Sequence, residues 1–211
     1  MKLRELQQNT KNLLIFDKKV LFLLEKEVNN LNANIKYWLK NGNLLALKNG
    51  VYLLNDKYER ESDKDGYLEY IAGQLLQPSY LSLEYVLSKY QILSEPAGAL
   101  TSISTKNDRE FINKLGAWRY FSIPKKLFIG FTIKYFKGQP VAEASKAKAL
   151  FDFLYLRFRV GPVINSQSLD SLRLNLENLN SEDLAELKNY FSILPAKRFQ
   201  EIYKLIEKYV D

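Results

Sequence analysis

The chain of 211 residues contains neither cysteine nor histidine. Those two absences exclude disulfides, thiol nucleophiles, imidazole bases and Cys/His zinc sites together. Any catalysis would have to rest on carboxylates, lysine, serine or tyrosine. No run of about 18 apolar residues occurs, so no membrane span is expected. The opening MKLRELQQNTKN is polar and lacks the apolar centre of a signal peptide, so a cytoplasmic location is expected. There is no Gly-x-x-x-x-Gly-Lys phosphate loop. Nor is there a Gly-Ser followed by Asp-x-Asp, the arrangement that would hold a divalent metal for nucleotidyl transfer. Asp63 and Asp65 have the carboxylate spacing but stand in a polar stretch without the loop, and Glu182-Asp183 reads as a helix N-terminus. No enzymatic role, metal or cofactor is expected.

What is present argues for a packed core and against disorder: 46% of residues are hydrophobic and 13% aromatic. The length suits one ordinary domain or two small ones. The net charge of +7 is uneven. Residues 1–60 hold 11 Lys/Arg against 6 Asp/Glu, and 61–99 hold 2 against 6. Residues 100–160 hold 12 against 4, and 161–211 hold 6 against 8. Two basic blocks around an acidic one fit a chain that meets a polyanion.

The most informative stretch is Asn29 to Leu54. Leu31, Ile35, Trp38 and Leu39 recur at helical spacing and mark a buried stripe. At about 100° per residue, Asn29, Asn30, Ala33, Lys36, Tyr37 and Lys40 share the opposite face, which carries no carboxylate. Asn41-Gly42 tolerates the left-handed conformation of a helix end. Two short apolar runs follow, Leu44 to Leu47 and Val51 to Leu54. Asn49-Gly50 between them is a strong hairpin signal, read as a type I′ turn with positive φ at both central residues. Helix, glycine turn and hairpin is the layout of a recognition helix and wing.

Two further helices precede it. Leu3, Leu6, Leu13 and Leu14 mark one over 3–14. Asp17 N-caps another carrying Val20, Leu21, Leu23 and Leu24. Three helices and a wing give the winged helix-turn-helix order, in which the third helix enters the major groove and the wing reaches the backbone. Asparagine pairs with adenine edges and lysine contacts guanine or phosphate, so Asn29, Asn30, Ala33, Lys36, Tyr37 and Lys40 are the candidate DNA-binding residues, with Lys48 and Asn49 at the wing tip. Asp56 to Gly66 reads as a linker. The domain boundary is placed near residue 60, giving domains at 1–60 and 61–211.

Beyond it, Leu68, Ile71, Ala72 and Leu75 follow helical spacing as far as Gln77-Pro78. Ser82 N-caps a helix burying Tyr85, Val86, Leu87 and Tyr90. Residues 100–136 read as a small antiparallel sheet supplied by Phe111, Trp118, Tyr120, Phe121, Phe128, Phe131, Tyr135 and Phe136. Arg109, Lys114, Arg119, Lys125, Lys126, Lys134 and Lys137 are interleaved with them. Such a mixture can make a stacking surface for single-stranded RNA. Strict alternation also produces it for free, with rings inward and cations outward, and that is the favoured reading. Gly161-Pro162 marks a turn. A short helix follows Ser168, Asn180 to Asp183 cap another, and Pro195 opens the last.

IAGQLLQPSYLSLEYVLSKYQIL, residues 71–93, resembles the signature segment of AbiEi-type antitoxins of bacterial AbiE abortive-infection toxin–antitoxin systems. Further landmarks of that family follow in order: Gly50-Val51-Tyr52, the strand LTSIST at 100–105, WRYFSI at 118–123, and an apolar strand over Leu127 to Gly130. An Ala-rich helix containing Lys148-Ala149-Leu150-Phe151-Asp152 comes last. Residues 142–148 depart from the Ala-x-Pro-Glu-Lys expected before it. The resemblance covers about residues 15–160. It implies an α+β protein with an N-terminal winged helix-turn-helix and a mixed C-terminal antitoxin domain. That protein would repress its own operon at operator DNA. It would counteract a nucleotidyltransferase toxin in phage defence, generally without a stable complex. Apart from the resemblance, no membrane partner is expected, and a homodimer on DNA is expected because helix-turn-helix operators are usually two-fold. The competing expectations are a stand-alone winged-helix regulator and an RNA-binding module or RNA-directed enzyme using residues 100–160.

Overall fold

The computed structural model describes residues 1–161 and 165–210, so part of the expected Gly161-Pro162 turn lies outside the described residues. The fold is α+β, with ten α-helices among the described residues, a three-stranded antiparallel sheet and a six-stranded mixed sheet. The chain divides into two compact units: residues 1–71 with 111–117, and residues 72–110 with 118–211.

The first unit runs α1 (Leu3–Asn9), β1 (Phe16–Asp17), α2 (Lys18–Leu24), α3 (Val28–Lys40), β2 (Leu44–Lys48) and β3 (Val51–Leu54). The first helix is shorter than its apolar pattern suggested. Thr10 ends it, donating its hydroxyl back to the Leu6 carbonyl at 2.8 Å. The Lys57 ammonium then gathers the carbonyls of Thr10, Lys11 and Leu13 at 2.6–2.8 Å, supplying donors that a helix end leaves wanting. Asp17 caps α2 as expected, accepting from the Val20 N–H at 3.0 Å. The strand β1 was not foreseen. It pairs with β3, Phe16 opposite Tyr52, so the sheet order is β1-β3-β2. Leu6, Phe16, Leu21, Leu31, Ile35, Trp38, Leu44, Tyr52 and Leu54 form one buried cluster beneath the three helices and the sheet.

The stretch read as a linker is helical instead: α4 (Asn55–Arg60) and the start of α5 (Lys64–Leu75) occupy it. Its charge pattern hides this because Lys57, Tyr58 and Tyr67 make the anchoring contacts. The Tyr67 hydroxyl donates to the Leu14 carbonyl at 2.5 Å, and its ring meets that of Tyr58 at 5.6 Å. The division between the two units falls within α5.

The larger sheet is built from β4 (Ser79–Leu81), then, after α6 (Leu83–Lys89), β5 (Leu100–Ser104), β6 (Arg109–Asn113), β7 (Gly116–Ser122), β8 (Phe131–Phe136) and β9 (Gln139–Ala144). Its order is β6-β7-β5-β4-β9-β8. The expectation of an antiparallel sheet is corrected here. β5 runs parallel to β7 and β4 parallel to β9, while β4–β5 and β8–β9 are antiparallel. The reason is connectivity: β6 intervenes between β5 and β7, and β4 joins a strand sixty residues later. The apolar strand expected at Leu127 to Gly130 is also absent, since Lys125–Leu127 forms a single 3₁₀ turn and β8 begins at Phe131. Beyond β9 come α7 (Lys146–Phe158), α8 (Ser166–Asp170), α9 (Ser181–Ser192) and α10 (Lys197–Val210). Asn180 and Asp183 cap α9 reciprocally at 2.8 and 2.9 Å, as their spacing predicts.

Candidate nucleic-acid interface and a buried ion pair

The third helix is long enough to present a continuous face, and its ends are both satisfied. Glu27 accepts from the Asn29 N–H at 3.2 Å at one end. At the other, Gly42 adopts φ +69°, the Asn43 N–H reaches the Trp38 carbonyl at 2.9 Å, and the Gly42 N–H reaches Leu39 at 3.3 Å. That is a Schellman ending, which the Asn-Gly pair makes cheap. Leu31, Ile35 and Trp38 are buried and Leu39 half-buried. Asn29, Asn30, Ala33, Lys36, Tyr37 and Lys40 are all exposed, Tyr37 at 64%. Glu27, one turn before Asn30, is the carboxylate nearest in sequence to this face, leaving its C-terminal two turns purely cationic and polar.

The hairpin differs in detail from its expected form. Gly50 alone has positive φ, +76°, which is the φ signature of a type II turn and corrects the type I′ expectation. The ladder also shifts by one residue between Ala46 and Lys48. This bulge carries the extra residue that a two-residue primed turn would not need. Asn49 is exposed at the tip. Lys48 is half-buried, its ammonium 5.7 Å from the centre of the Phe111 ring, while Asn113 donates to the Leu47 carbonyl at 3.0 Å. Residues 111–117 therefore brace the hairpin, a contact no local pattern announces.

Lys18 and Lys19 were missed by the sequence reading. Both are exposed at the start of α2, and the Lys18 N–H donates to the Gly50 carbonyl at 2.8 Å. The β1–β3 pairing thus brings two further cations beside the hairpin turn. A two-residue strand has no periodicity from which this could be read.

The second unit encloses one charged cluster in its core. Lys148 and Asp152, one turn apart on α7, are fully enclosed and 2.5 Å apart. Asp152 also accepts from Tyr80 at 2.9 Å and from Ser82 at 2.8 Å. Lys148 donates to the Leu127 carbonyl at 2.9 Å and lies 4.6 Å from the Phe151 ring centre. Burial pushes the Asp152 carboxyl up and the Lys148 ammonium down, and each group opposes the other's shift. Both charges are hydrogen-bonded and closed to solvent, which makes the pair a fixture of the core. Ser82 corrects an expectation: it stands at the N-cap of α6, but its side chain makes no cap and serves Asp152 instead. Tyr85 is half-buried and Tyr90 exposed, against the buried side expected of them. Nearby, Glu143 is buried on β9 and pairs with Lys89 at 2.7 Å and with Lys134.

On the large sheet most of the rings go inward and the cations outward. Trp118, Tyr120 and Phe136 are buried, and Phe111, Phe121, Phe128 and Phe131 half-buried. Of the eight aromatics named for a stacking surface only Tyr135 is exposed, at 72%. Arg109, Lys114, Arg119, Lys125, Lys126, Lys134 and Lys137 are all exposed. Asp63 and Asp65 are exposed, and Asp63 accepts from the Gly66 N–H at 2.8 Å in the first turn of α5. No helix among the described residues is long and apolar enough to cross a membrane. Set against models of known protein families and against curated proteins, the chain matches none of either.

Proposed function

We propose that this protein is a DNA-binding antitoxin of the AbiEi type. Its N-terminal unit acts as a winged helix on operator DNA, repressing the operon that encodes it, and the rest of the chain counteracts a nucleotidyltransferase toxin. The observation that carries the DNA-binding half is the exposed, carboxylate-free face of α3 within an α1-β1-α2-α3-β2-β3 order whose sheet runs β1-β3-β2. That order is the arrangement in which a third helix enters the major groove and the hairpin after it lies along the backbone. Lys36 and Lys40 take phosphates or guanine, Asn30 reads a base edge, and Asn49 with Lys18 and Lys19 flanks the groove. The antitoxin half is supported by the segment at residues 71–93 and by the landmarks at 50–52, 100–105, 118–123 and 148–152, while a 3₁₀ turn stands where the apolar strand over 127–130 was expected.

Two measurements test the halves separately. Fluorescence anisotropy on DNA from the chain's own promoter should give tighter binding than an unrelated duplex of equal length. Equal affinity for the two at about 150 mM salt sinks operator recognition. Co-expression with the neighbouring nucleotidyltransferase reading frame should restore growth, and should do so equally for a Lys36→Ala/Lys40→Ala variant. Growth arrest despite the parent chain sinks the antitoxin reading while leaving DNA binding intact.

A further inference from the structure

The second unit holds a cavity of about 660 Å³ between the start of α6, the 93–98 segment, the C-terminal half of α7 and residues 171–173. That size lies within the ~300–1,000 Å³ of small-molecule sites. Leu93, Leu172 and the Phe153 ring give it an apolar floor, and Glu84, Glu95, Arg157 and Arg173 supply its charge. Glu84 Oε2 is buried without a hydrogen-bond partner among the described residues. A buried carboxylate oxygen left in that state is costly unless something donates to it.

The cations are as selective as the carboxylate. The chain has 23 lysines and 8 arginines, yet no lysine among the described residues lines this cavity. Two smaller cavities, of about 310 and 490 Å³, follow on from it. The first shares Glu84, Phe153 and Arg157 with it, and the second shares Asp108 and Phe121 with the first. Together the three are lined, among the described residues, by Arg109, Arg119, Arg157, Arg159 and Arg173 without a lysine, and by the carboxylates Glu84, Glu95, Asp108 and Glu110. Glu110 pairs with Arg119 at 2.6 Å, and Arg157 and Arg173 are the arginines of the main cavity. Guanidinium forks in place of ammonium groups suit planar, two-pronged contact with phosphate. Arg157 lies 5.4 Å from the Phe153 ring centre, held at the edge of the floor. Arg173 adopts φ +51°, a left-handed conformation uncommon for a long side chain.

We propose that this cavity binds a 5′-mononucleotide, its phosphate on Arg157 and Arg173, its base on the Phe153–Leu172 floor, and a base or ribose N–H or O–H donating to Glu84. An acidic peptide fits less well, because Glu84 repels a second carboxylate. Inorganic phosphate leaves the floor and Glu84 unused. The inference concerns the second unit alone and stands or falls independently of operator binding.

The test is calorimetric titration of the full chain with AMP, GMP, CMP and UMP, with the matching nucleosides, and with inorganic phosphate. At least one mononucleotide saturates with a Kd below about 1 mM, at least tenfold tighter than its nucleoside and than phosphate. Arg173→Ala and Arg157→Ala, both at exposed positions, each weaken it about tenfold or more while the unfolding midpoint without ligand stays that of the parent. Glu84→Gln weakens the nucleoside part of the binding and leaves the small affinity for phosphate unchanged. No saturation by about 10 mM overturns the proposal. So does phosphate binding as tightly as every nucleotide, or parent-like affinity in both arginine variants.

Discussion

Replacing Lys36 and Lys40 together by alanine changes the charge of the α3 face without disturbing its packing, because both side chains are exposed on the side opposite Leu31, Ile35 and Trp38. The stability cost is therefore within about 0.5 kcal/mol. Each phosphate neutralised on B-DNA contributes about −0.9 to the slope of log affinity against log salt. With Lys18, Lys19, Lys36 and Lys40 engaged, the slope is about −3.6 for each chain, so a rise from about 50 to about 200 mM salt weakens binding about 150-fold. The double variant retains a slope of about −1.8 and loses only about 12-fold over the same range. A two-fold complex doubles both slopes and preserves their ratio. Anisotropy titrations at four salt concentrations read both numbers, with Lys208→Ala, exposed on α10, as the control that should match the parent. A double variant with the parent's slope and affinity would show that DNA, if bound at all, lies on another surface.

Asp152→Ala strands the Lys148 ammonium in the core and is expected to cost about 3–5 kcal/mol by urea denaturation. Adding Lys148→Met to that variant recovers part of the loss, since the orphaned charge goes with it. A loss under about 1 kcal/mol would mean the pair is not held as described. Tyr120 donates to the Ala72 carbonyl at 2.6 Å, and burial holds its phenol well above the usual tyrosine pKa. With the folded pKa raised, the contribution is complete below about pH 10. It falls by about 1.4 kcal/mol per pH unit above that, as the unfolded chain alone ionises. Urea midpoints for Tyr120→Phe across the alkaline range should fall less steeply by that amount, and identical slopes would refute the assignment. Gly130 sits at φ +77°, where an added Cβ would lie 2.6 Å from Tyr190 Cζ and closer still to its hydroxyl. Gly130→Ala should therefore cost more than the ~1 kcal/mol of an unhindered left-handed position. Gly42→Ala, at φ +69° with open space around it, is the matched comparison.

The sequence by itself determined the parts governed by short-range rules. The stripe of Leu31, Ile35 and Trp38 fixed which side of α3 is buried, and with it the six exposed residues opposite. Asn41-Gly42 and Asn180 to Asp183 marked a helix end and a helix start, and Asn49-Gly50 marked a hairpin, because backbone conformation at such points depends on the residues themselves. Alternation placed Trp118 and Tyr120 inward and Arg119 outward along β7, whereas β8 leaves Ile133 and Tyr135 exposed together with Lys134, which no period of two foretells. Only the tertiary structure decided what depends on partners far along the chain. It drew Ser82 and Tyr80 to Asp152 some seventy residues away, which spent a side chain that looks locally like a helix cap. It paired the two residues of β1 with β3, set Lys48 against Phe111, and laid β5 parallel to β7. The helical character of 55–60 and the arginine-lined cavity have the same origin. A periodic pattern reports whether a residue faces inward or outward, while the identity of what it meets there is set by the packing of distant segments.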